Sequence, residues 1–180
     1  MLMTYNECLT KYKNDYQIRR ALDAGLIIKL EPGIYSDKNF EFETSIISKK
    51  YPHAVFTMRS AFYYLGLTDT IPEKYHLATD KDSSKITDKR VVQYFDNYQS
   101  LELGMINYEV DGGMIRMYGN ERMLLELFRN KKRLPYDYYK EILQNFRKRI
   151  DKMDIAFIQD MASELPKSDI ILEAFETEVL

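Results

Sequence analysis

The run from Asn14 to Ser36, NDYQIRRALDAGLIIKLEPGIYS, constrains the fold more than any other part of the chain. Apolar Ile18, Ala21 and Leu22 are spaced three and four residues apart, which puts them on one face of a helix. Gly25 can adopt the left-handed conformation that ends a helix. Strand-forming side chains then flank a Pro-Gly turn. The run therefore predicts a helix that stops at a glycine and passes directly into a short two-stranded hairpin.

A helix, a glycine and a hairpin in this order form the end of a winged helix-turn-helix, a module that binds DNA. Either Asn14 or Asp15 can cap the start of the helix. A shorter helix is predicted over 4–12, so the first module covers residues 1–37 and is short by one helix. The same order also occurs as a purely structural corner. We interpret the exposed helix face and its flanks as the DNA-contacting surface, formed by Lys13, Tyr16, Gln17, Arg19, Arg20 and Lys29.

The composition is that of a soluble globular protein of one domain, or of a small domain followed by a larger one. The chain has 180 residues, of which 45% are hydrophobic and 30% charged. No apolar run approaches the roughly 18 residues that cross a membrane, and the first residues lack a signal-peptide pattern. Because Cys8 is the only cysteine, no intrachain disulfide can form, and we expect a cytoplasmic protein.

Residues 38–180 are predicted to form a larger α+β domain, because strand patterns come first and helical patterns follow. A helix is predicted over 40–51, with Phe40, Ile46 and Ile47 in the core. The strands should build a mostly antiparallel sheet of three to five strands, and they are predicted over 75–79, 91–95, 105–110 and 114–118. The C-terminal helices are predicted over 121–130, 136–150, 154–165 and 168–178.

The net charge of −2 hides a basic segment followed by an acidic one. Residues 129–152 include nine basic and three acidic residues, whereas residues 160–180 include six acidic residues and one basic residue, Lys167. One interpretation of the basic segment is a surface that contacts phosphate groups. The alternative is two solvated helix faces that pair with each other. The candidate phosphate contacts are Lys131, Lys132, Arg133, Arg147 and Lys148.

Residues with catalytic or metal-binding patterns are nearly absent, so we expect no catalytic residues, no metal and no cofactor. The only histidines are His53, in a loop after a proline, and His76, in the middle of a strand. One cysteine and two histidines are too few for a structural zinc site. Asp80 and Asp82 have the spacing of a nucleotidyltransferase carboxylate pair, but no Gly-Ser precedes them.

Three stretches together resemble the AbiEi-type antitoxins, the transcription-regulator halves of type IV abortive-infection toxin–antitoxin pairs. The first stretch is IRRALDAGLIIKLEPGIYS. The second is AVFTMRSAFYYLGLTDTIPEKYHLAT, with Ser60-Ala61, Gly66-Leu67-Thr68 and Ile71-Pro72 in the family's order. The third is YGNERMLLELFR, in which Glu121-Arg122 opens a buried helix after the sheet. The resemblance covers about residues 5–130.

The resemblance implies a protein without enzyme activity, whose N-terminal winged helix binds double-stranded operator DNA and represses its own operon. It implies that the larger domain counters a nucleotidyltransferase-like toxin without a stable complex. Two alternatives remain open. The chain could neutralise a toxin as a protein-interaction module that does not bind DNA. It could also be a nuclease or nucleotidyltransferase, for which Asp80 and Asp82 are the only candidate catalytic residues.

Overall fold

The computed structural model describes residues 1–179, with residue 98 described through its backbone alone. In this part the chain is α+β, with one three-stranded sheet, one five-stranded sheet and nine α-helices. The chain divides into two compact units. The first unit comprises Met1–His53 and Glu109–Ile115, and the second comprises Ala54–Tyr108 with the described residues from Arg116 onward.

The first unit contains a three-stranded antiparallel sheet and three helices. Its central strand pairs on one side with the hairpin partner and on the other with a three-residue strand at the N-terminus. That N-terminal strand was not predicted, because three residues are too short for a periodic pattern. The elements are β1 (Leu2–Thr4), α1 (Tyr5–Tyr12), α2 (Asp15–Asp23), β2 (Ile28–Glu31), β3 (Ile34–Ser36) and α3 (Glu43–Lys50), and the sheet order is β1-β3-β2.

Local hydrogen bonds account for the ends of α1 and α2. The Thr4 hydroxyl accepts from the Glu7 backbone N–H, and the Glu7 carboxylate accepts from the Thr4 N–H, which is a capping box. The Asn14 side chain accepts from the Gln17 N–H at 3.0 Å and caps α2. At the other end of α2, Gly25 has φ +69°, as predicted for the glycine that stops this helix.

Loss of the cap at Asn14 is expected to destabilise the first unit. The Asn14→Ala substitution should lower the free energy of unfolding by about 1 kcal/mol, because the Gln17 N–H loses its acceptor. Urea unfolding followed by far-UV circular dichroism measures this change. Asn6→Ala is the matched control, since Asn6 is exposed in the first turn of α1. Equal midpoints for the two variants would contradict the capping role.

The core of the first unit uses the predicted helix faces. Cys8 of α1 and Ile18 and Ala21 of α2 are buried, together with Met3, Ile27 and Tyr35. Ile46 and Ile47 of α3 are buried as predicted. The prediction for Phe40 is wrong, because α3 begins only at Glu43 and Phe40 lies 67% exposed in the preceding loop. This unit extends past the predicted boundary at residue 37, since α3 packs on β1 and β3.

The second unit combines helices with a five-stranded sheet, of which residues 109–115 at the tip of the last hairpin belong to the first unit. The sheet order is β6-β5-β4-β8-β7. Two elements, the two-residue strand at 55–56 and the single helical turn at 98–101, are too short to show a period in the sequence. The elements are β4 (Val55–Phe56), α4 (Met58–Tyr64), β5 (Tyr75–Asp80), β6 (Val91–Asp96), α5 (Tyr98–Leu101), β7 (Met105–Val110), β8 (Gly113–Tyr118), α6 (Asn120–Arg129), α7 (Tyr136–Arg147), α8 (Ile155–Glu164) and α9 (Ser168–Glu178).

The prediction of a mostly antiparallel sheet is wrong, because the sheet is mixed. β5 and β6 are parallel over six residue pairs, β4 and β8 are parallel, and β4 and β5 are antiparallel. The polar segment 81–90 makes the parallel pair possible, since it carries the chain back along the full length of β5. The Gln93 side chain holds this segment in place. It accepts from the Ile86 N–H at 2.8 Å and donates to the Ser84 carbonyl at 3.1 Å.

The C-terminal helices occupy the predicted segments. The apolar residues of α6 are buried on most of the circumference, as its sequence predicted. Tyr139, Ile142, Leu143 and Phe146 of α7, which are spaced to lie on one face of the helix, are also buried. None of the helices within residues 1–179 has both the length and the apolar character needed to span a bilayer.

Candidate nucleic-acid interface

The outer face of α2 is the first part of the candidate interface. Tyr16, Arg19 and Arg20 are spaced three and four residues apart and therefore share one side of the helix. All three are exposed, and Tyr16 presents 66% of its surface. Gln17 is exposed beside them. The opposite side carries the buried Ile18 and Ala21, so packing of that side turns the basic side outward.

The two guanidinium groups of this face are available to a ligand. Within the described chain, neither Arg19 nor Arg20 forms a side-chain hydrogen bond or an ion pair. Asp15, one turn before Arg19, is instead engaged by the Tyr5 hydroxyl, which donates to its carboxylate at 2.5 Å. This hydrogen bond raises the pKa of Tyr5 above its usual value. The acid one turn before Arg19 is therefore already held by another donor.

Lysines of α3 neutralise two further acids of the first unit. Lys49 contacts Glu7 at 2.6 Å, and Lys50 contacts Glu31 at 3.2 Å. Burial works toward a higher pKa for Glu7, but the Lys49 ammonium and the Thr4 donors outweigh it and lower that pKa. Three of the four acids in residues 1–36, namely Glu7, Asp15 and Glu31, are thus held by other side chains of the unit, whereas Asp23 is exposed on α2.

The remaining predicted contacts flank α2. Lys13 lies exposed in the two-residue turn between α1 and α2, with φ +73°. Lys29 is exposed on β2, and the hairpin that carries it turns at Gly33, with φ +81°. The Gly33 carbonyl accepts from the Tyr5 N–H at 2.9 Å, which ties the hairpin to the start of α1. All six predicted DNA-contacting residues are therefore exposed parts of one unit.

The five candidate phosphate contacts of the second unit do not form one free basic surface. Lys131 pairs with Glu178 at 2.7 Å, and the Arg147 Nε donates to the Glu178 backbone carbonyl at 2.5 Å. Burial of Glu178 works against ionisation, but hydrogen bonds from Lys131 and Tyr139 lower its pKa. Two cations of the basic segment therefore pair with the acidic C-terminal helix, as the alternative interpretation described. The Lys148 ammonium contacts Asn145, and Lys132 and Arg133 are exposed.

The residues considered for catalysis are dispersed. His53 is exposed, whereas His76 is buried and its Nδ1 lies 2.9 Å from the Tyr94 hydroxyl. Burial, with a smaller contribution from Arg59, lowers the pKa of His76 to about 4. The Asp80 carboxylate accepts from the Asp82 N–H at 2.9 Å. Within residues 1–179, no group of three or more His, Cys, Asp or Glu is placed to hold a metal ion.

Arg122 is a charged residue of the second unit that is fully buried. Its guanidinium donates to Glu126 and to Asp96, each at 2.9 Å. It also donates to the backbone carbonyls of Ser100 at 2.6 Å and Leu103 at 2.8 Å. Sequence reasoning missed this cluster, although the four-residue spacing of Arg122 and Glu126 on a helix was a signal for it.

Arg129 completes the buried charge cluster by contacting both carboxylates. It lies 3.2 Å from Asp96 and 2.5 Å from Glu126. Burial of Asp96 would raise its pKa, but the Ser100 hydroxyl and the guanidinium groups of Arg129 and Arg122 outweigh burial and lower it. The cluster thus joins the end of β6 to α6 through contacts between carboxylate and guanidinium groups.

No known protein family matches the sequence, and comparison with curated proteins gives no match.

Proposed function

We propose that this chain is the antitoxin and DNA-binding autorepressor of a type IV toxin–antitoxin operon of the abortive-infection kind. In this proposal the first unit is a winged helix-turn-helix, α2 is its recognition helix and the β2–β3 hairpin is its wing. The chain works in the cytoplasm on double-stranded operator DNA. It catalyses no reaction, and it counters a nucleotidyltransferase-like toxin without forming a stable complex with it.

The DNA-binding proposal rests mainly on the observation that the two arginines of α2 are exposed and unpaired. The order β1-α1-α2-β2-β3, with β3 at the centre of the sheet, supports it. In a helix-turn-helix, the residues near the start of the second helix contact base edges. Arginine reads guanine through two hydrogen bonds, whereas lysine mainly contacts phosphate. Arg19 and Arg20 therefore suit base contacts, and Lys13 and Lys29 suit phosphate contacts.

The helix α3 supports the same proposal by a different route. It contacts β1 and β3 in the first unit and supplies the two lysines that neutralise Glu7 and Glu31. In this position α3 is the third helix of the proposed winged helix-turn-helix, and it follows the wing along the chain. The paired acids no longer oppose the free cations, so the electrostatic attraction of this face for phosphate is stronger than the sequence balance indicated.

DNA binding can be measured with a fluorescent duplex from the region upstream of the chain's own gene. We expect tighter binding to this duplex than to a scrambled duplex of the same composition, and we expect affinity to fall as salt rises. With two to four cations on phosphates, the slope of log K against log salt should be between about −2 and −4. Fluorescence anisotropy at several salt concentrations gives both quantities. Equal affinity for the two duplexes at every salt concentration would contradict sequence-specific reading.

The antitoxin part of the proposal is tested by expression with the product of the adjacent gene. We propose that the chain relieves the growth arrest caused by that product and that an affinity-tagged chain does not retain it after purification. Stable retention together with absent DNA binding would instead support the protein-interaction alternative. Failure to relieve the arrest would contradict the antitoxin role.

A further inference from the structure

A cavity of about 430 Å³ in the second unit is lined in part by Tyr118, whose buried hydroxyl has no hydrogen-bond partner in the described part of the chain. Cavities of this size are in the range that holds small organic ligands. Its walls come from the start of α4, from β5, β6, β8 and α6, and from the segments that follow α6 and precede α9. The polar residues on which the inference rests are Tyr118, Arg129, Asn130, Arg133 and Lys167.

Tyr118 is the most informative residue of this cavity. Its side chain is 1% exposed, and its hydroxyl has no hydrogen-bond partner in the described part of the chain. The Arg122 guanidinium lies 4.4 Å from the centre of the Tyr118 ring. Burial raises the pKa of the phenol, so the hydroxyl keeps its proton and can donate it. An unpartnered buried hydroxyl is unfavourable, and an acceptor in the cavity would satisfy it.

The charges around the cavity favour an anion. The two wall carboxylates, Asp96 and Glu126, are already bonded by Arg122 and Arg129. By contrast, the side chains of Arg133 and Lys167 form no hydrogen bond or ion pair within residues 1–179. Lys167 also directly precedes α9, an eleven-residue helix whose first backbone N–H groups favour negative charge. Two residues with unpaired cations and one with a buried, unpartnered donor therefore line the same cavity.

We propose that this cavity binds a small organic phosphate of nucleoside monophosphate size. A phosphate monoester carries a charge of about −1.5 to −2 at neutral pH, which matches the two unpaired cations. Its oxygens accept hydrogen bonds from the Arg133 guanidinium, the Lys167 ammonium and the Tyr118 hydroxyl. The apolar wall at Met58 and Val92 accommodates the organic part. The site is independent of the proposed DNA contacts, which belong to the first unit.

Isothermal titration calorimetry of the full chain tests this proposal without DNA. The probes are the nucleoside monophosphates, the corresponding nucleosides and inorganic phosphate. We expect at least one monophosphate to bind with one-to-one stoichiometry, more tightly than inorganic phosphate, and the nucleosides to bind at least about tenfold more weakly. Absence of saturable binding for every monophosphate at millimolar concentration would overturn the proposal, as would equal affinity for a nucleoside and its monophosphate.

Three variants assign the binding to this cavity. Arg133→Ala should lower the affinity for the monophosphate about tenfold, and Tyr118→Phe should lower it several-fold. Lys140→Ala is the matched control, because Lys140 is an exposed cation of α7 outside the cavity wall. Without ligand, Tyr118→Phe should melt at the same or a higher temperature than the parent, since the lost hydroxyl has no partner. Equal weakening by Lys140→Ala, or a lower melting temperature of Tyr118→Phe with unchanged affinity, would overturn the assignment.

Discussion

Replacement of Arg122 by methionine is expected to lower the free energy of unfolding of the second unit by about 3–5 kcal/mol. The side chain is fully buried and bonds two carboxylates and two backbone carbonyls. Methionine fills much of the space but donates no hydrogen bond. Asp96 and Glu126 would then share only Arg129, and both carbonyls would lose a donor. Urea unfolding measured by far-UV circular dichroism and by the near-UV signal of the fifteen tyrosines gives the change.

Arg116→Met is the matched control for this experiment. Arg116 also pairs with a glutamate, Glu102, but both side chains are partly exposed, so the expected cost is at most about 1 kcal/mol. Combining Arg122→Met with Asp96→Asn should recover part of the loss, because Arg129 then has one buried carboxylate to pair with and not two. Equal destabilisation by Arg122→Met and Arg116→Met would show that the buried cluster contributes no more than a surface pair.

The pH dependence of the same transition provides a second measurement. The pKa of Asp96 is lowered in the folded chain from the usual value of 3.8, so its contribution is fully present above that value. The contribution is lost as the pH falls below 3.8 and through the lowered folded pKa. In the Arg122→Met variant, Asp96 loses one of its cationic partners, so its folded pKa lies closer to 3.8, and the acid-induced loss should be smaller and should end at a higher pH than in the parent. Identical acid profiles would contradict this pairing.

Simultaneous replacement of Arg19 and Arg20 by alanine is expected to weaken specific operator binding by about 100- to 1,000-fold. Each bidentate contact between an arginine and a guanine contributes roughly 1–3 kcal/mol of discrimination. Binding to the scrambled duplex should fall much less, because most of that affinity comes from phosphate contacts. Fluorescence anisotropy with both duplexes at constant salt measures the two losses.

The control for the arginine pair removes the same charge from another part of the same unit. Lys11→Ala combined with Lys38→Ala deletes two exposed cations outside the proposed interface. This control should reduce affinity for both duplexes to a similar, small extent. The arginines would have no role in reading sequence if both double variants bound the operator equally well. Alanine is well tolerated in helices, so the fold of α2 should persist, and circular dichroism checks this.

Much of the local structure could be predicted because short-range physics determines it. The apolar spacing of α2, the left-handed glycine after it and the Pro-Gly turn at 32–33 are properties of neighbouring residues, and all three occur as expected. The long helices α6 and α7 were recognisable for the same reason, since their apolar stripes repeat over several turns. The exposure of the α2 arginines follows from burial of the opposite side of the same helix.

Strand pairing and the partners of charged groups could not be predicted in this way. The three-residue strand β1 exists because it pairs with β3, more than thirty residues later in the chain. The parallel alignment of β5 and β6 depends on the path of segment 81–90 rather than on either strand's pattern. Phe40 belongs to a helical pattern by residue type, yet α3 begins three residues later.

Helical periodicity and turn chemistry act over a few residues, so the order of residues specifies where the helices and most strands lie and which side of α2 carries its arginines. Which charges are available depends instead on the folded chain. It pairs Glu7 and Glu31 with lysines of α3, joins the acidic α9 to the basic segment through Glu178, and buries Arg122 between Asp96 and Glu126. An ion pair or a shared cavity depends on the distance between side chains in space, which spacing along the chain does not specify.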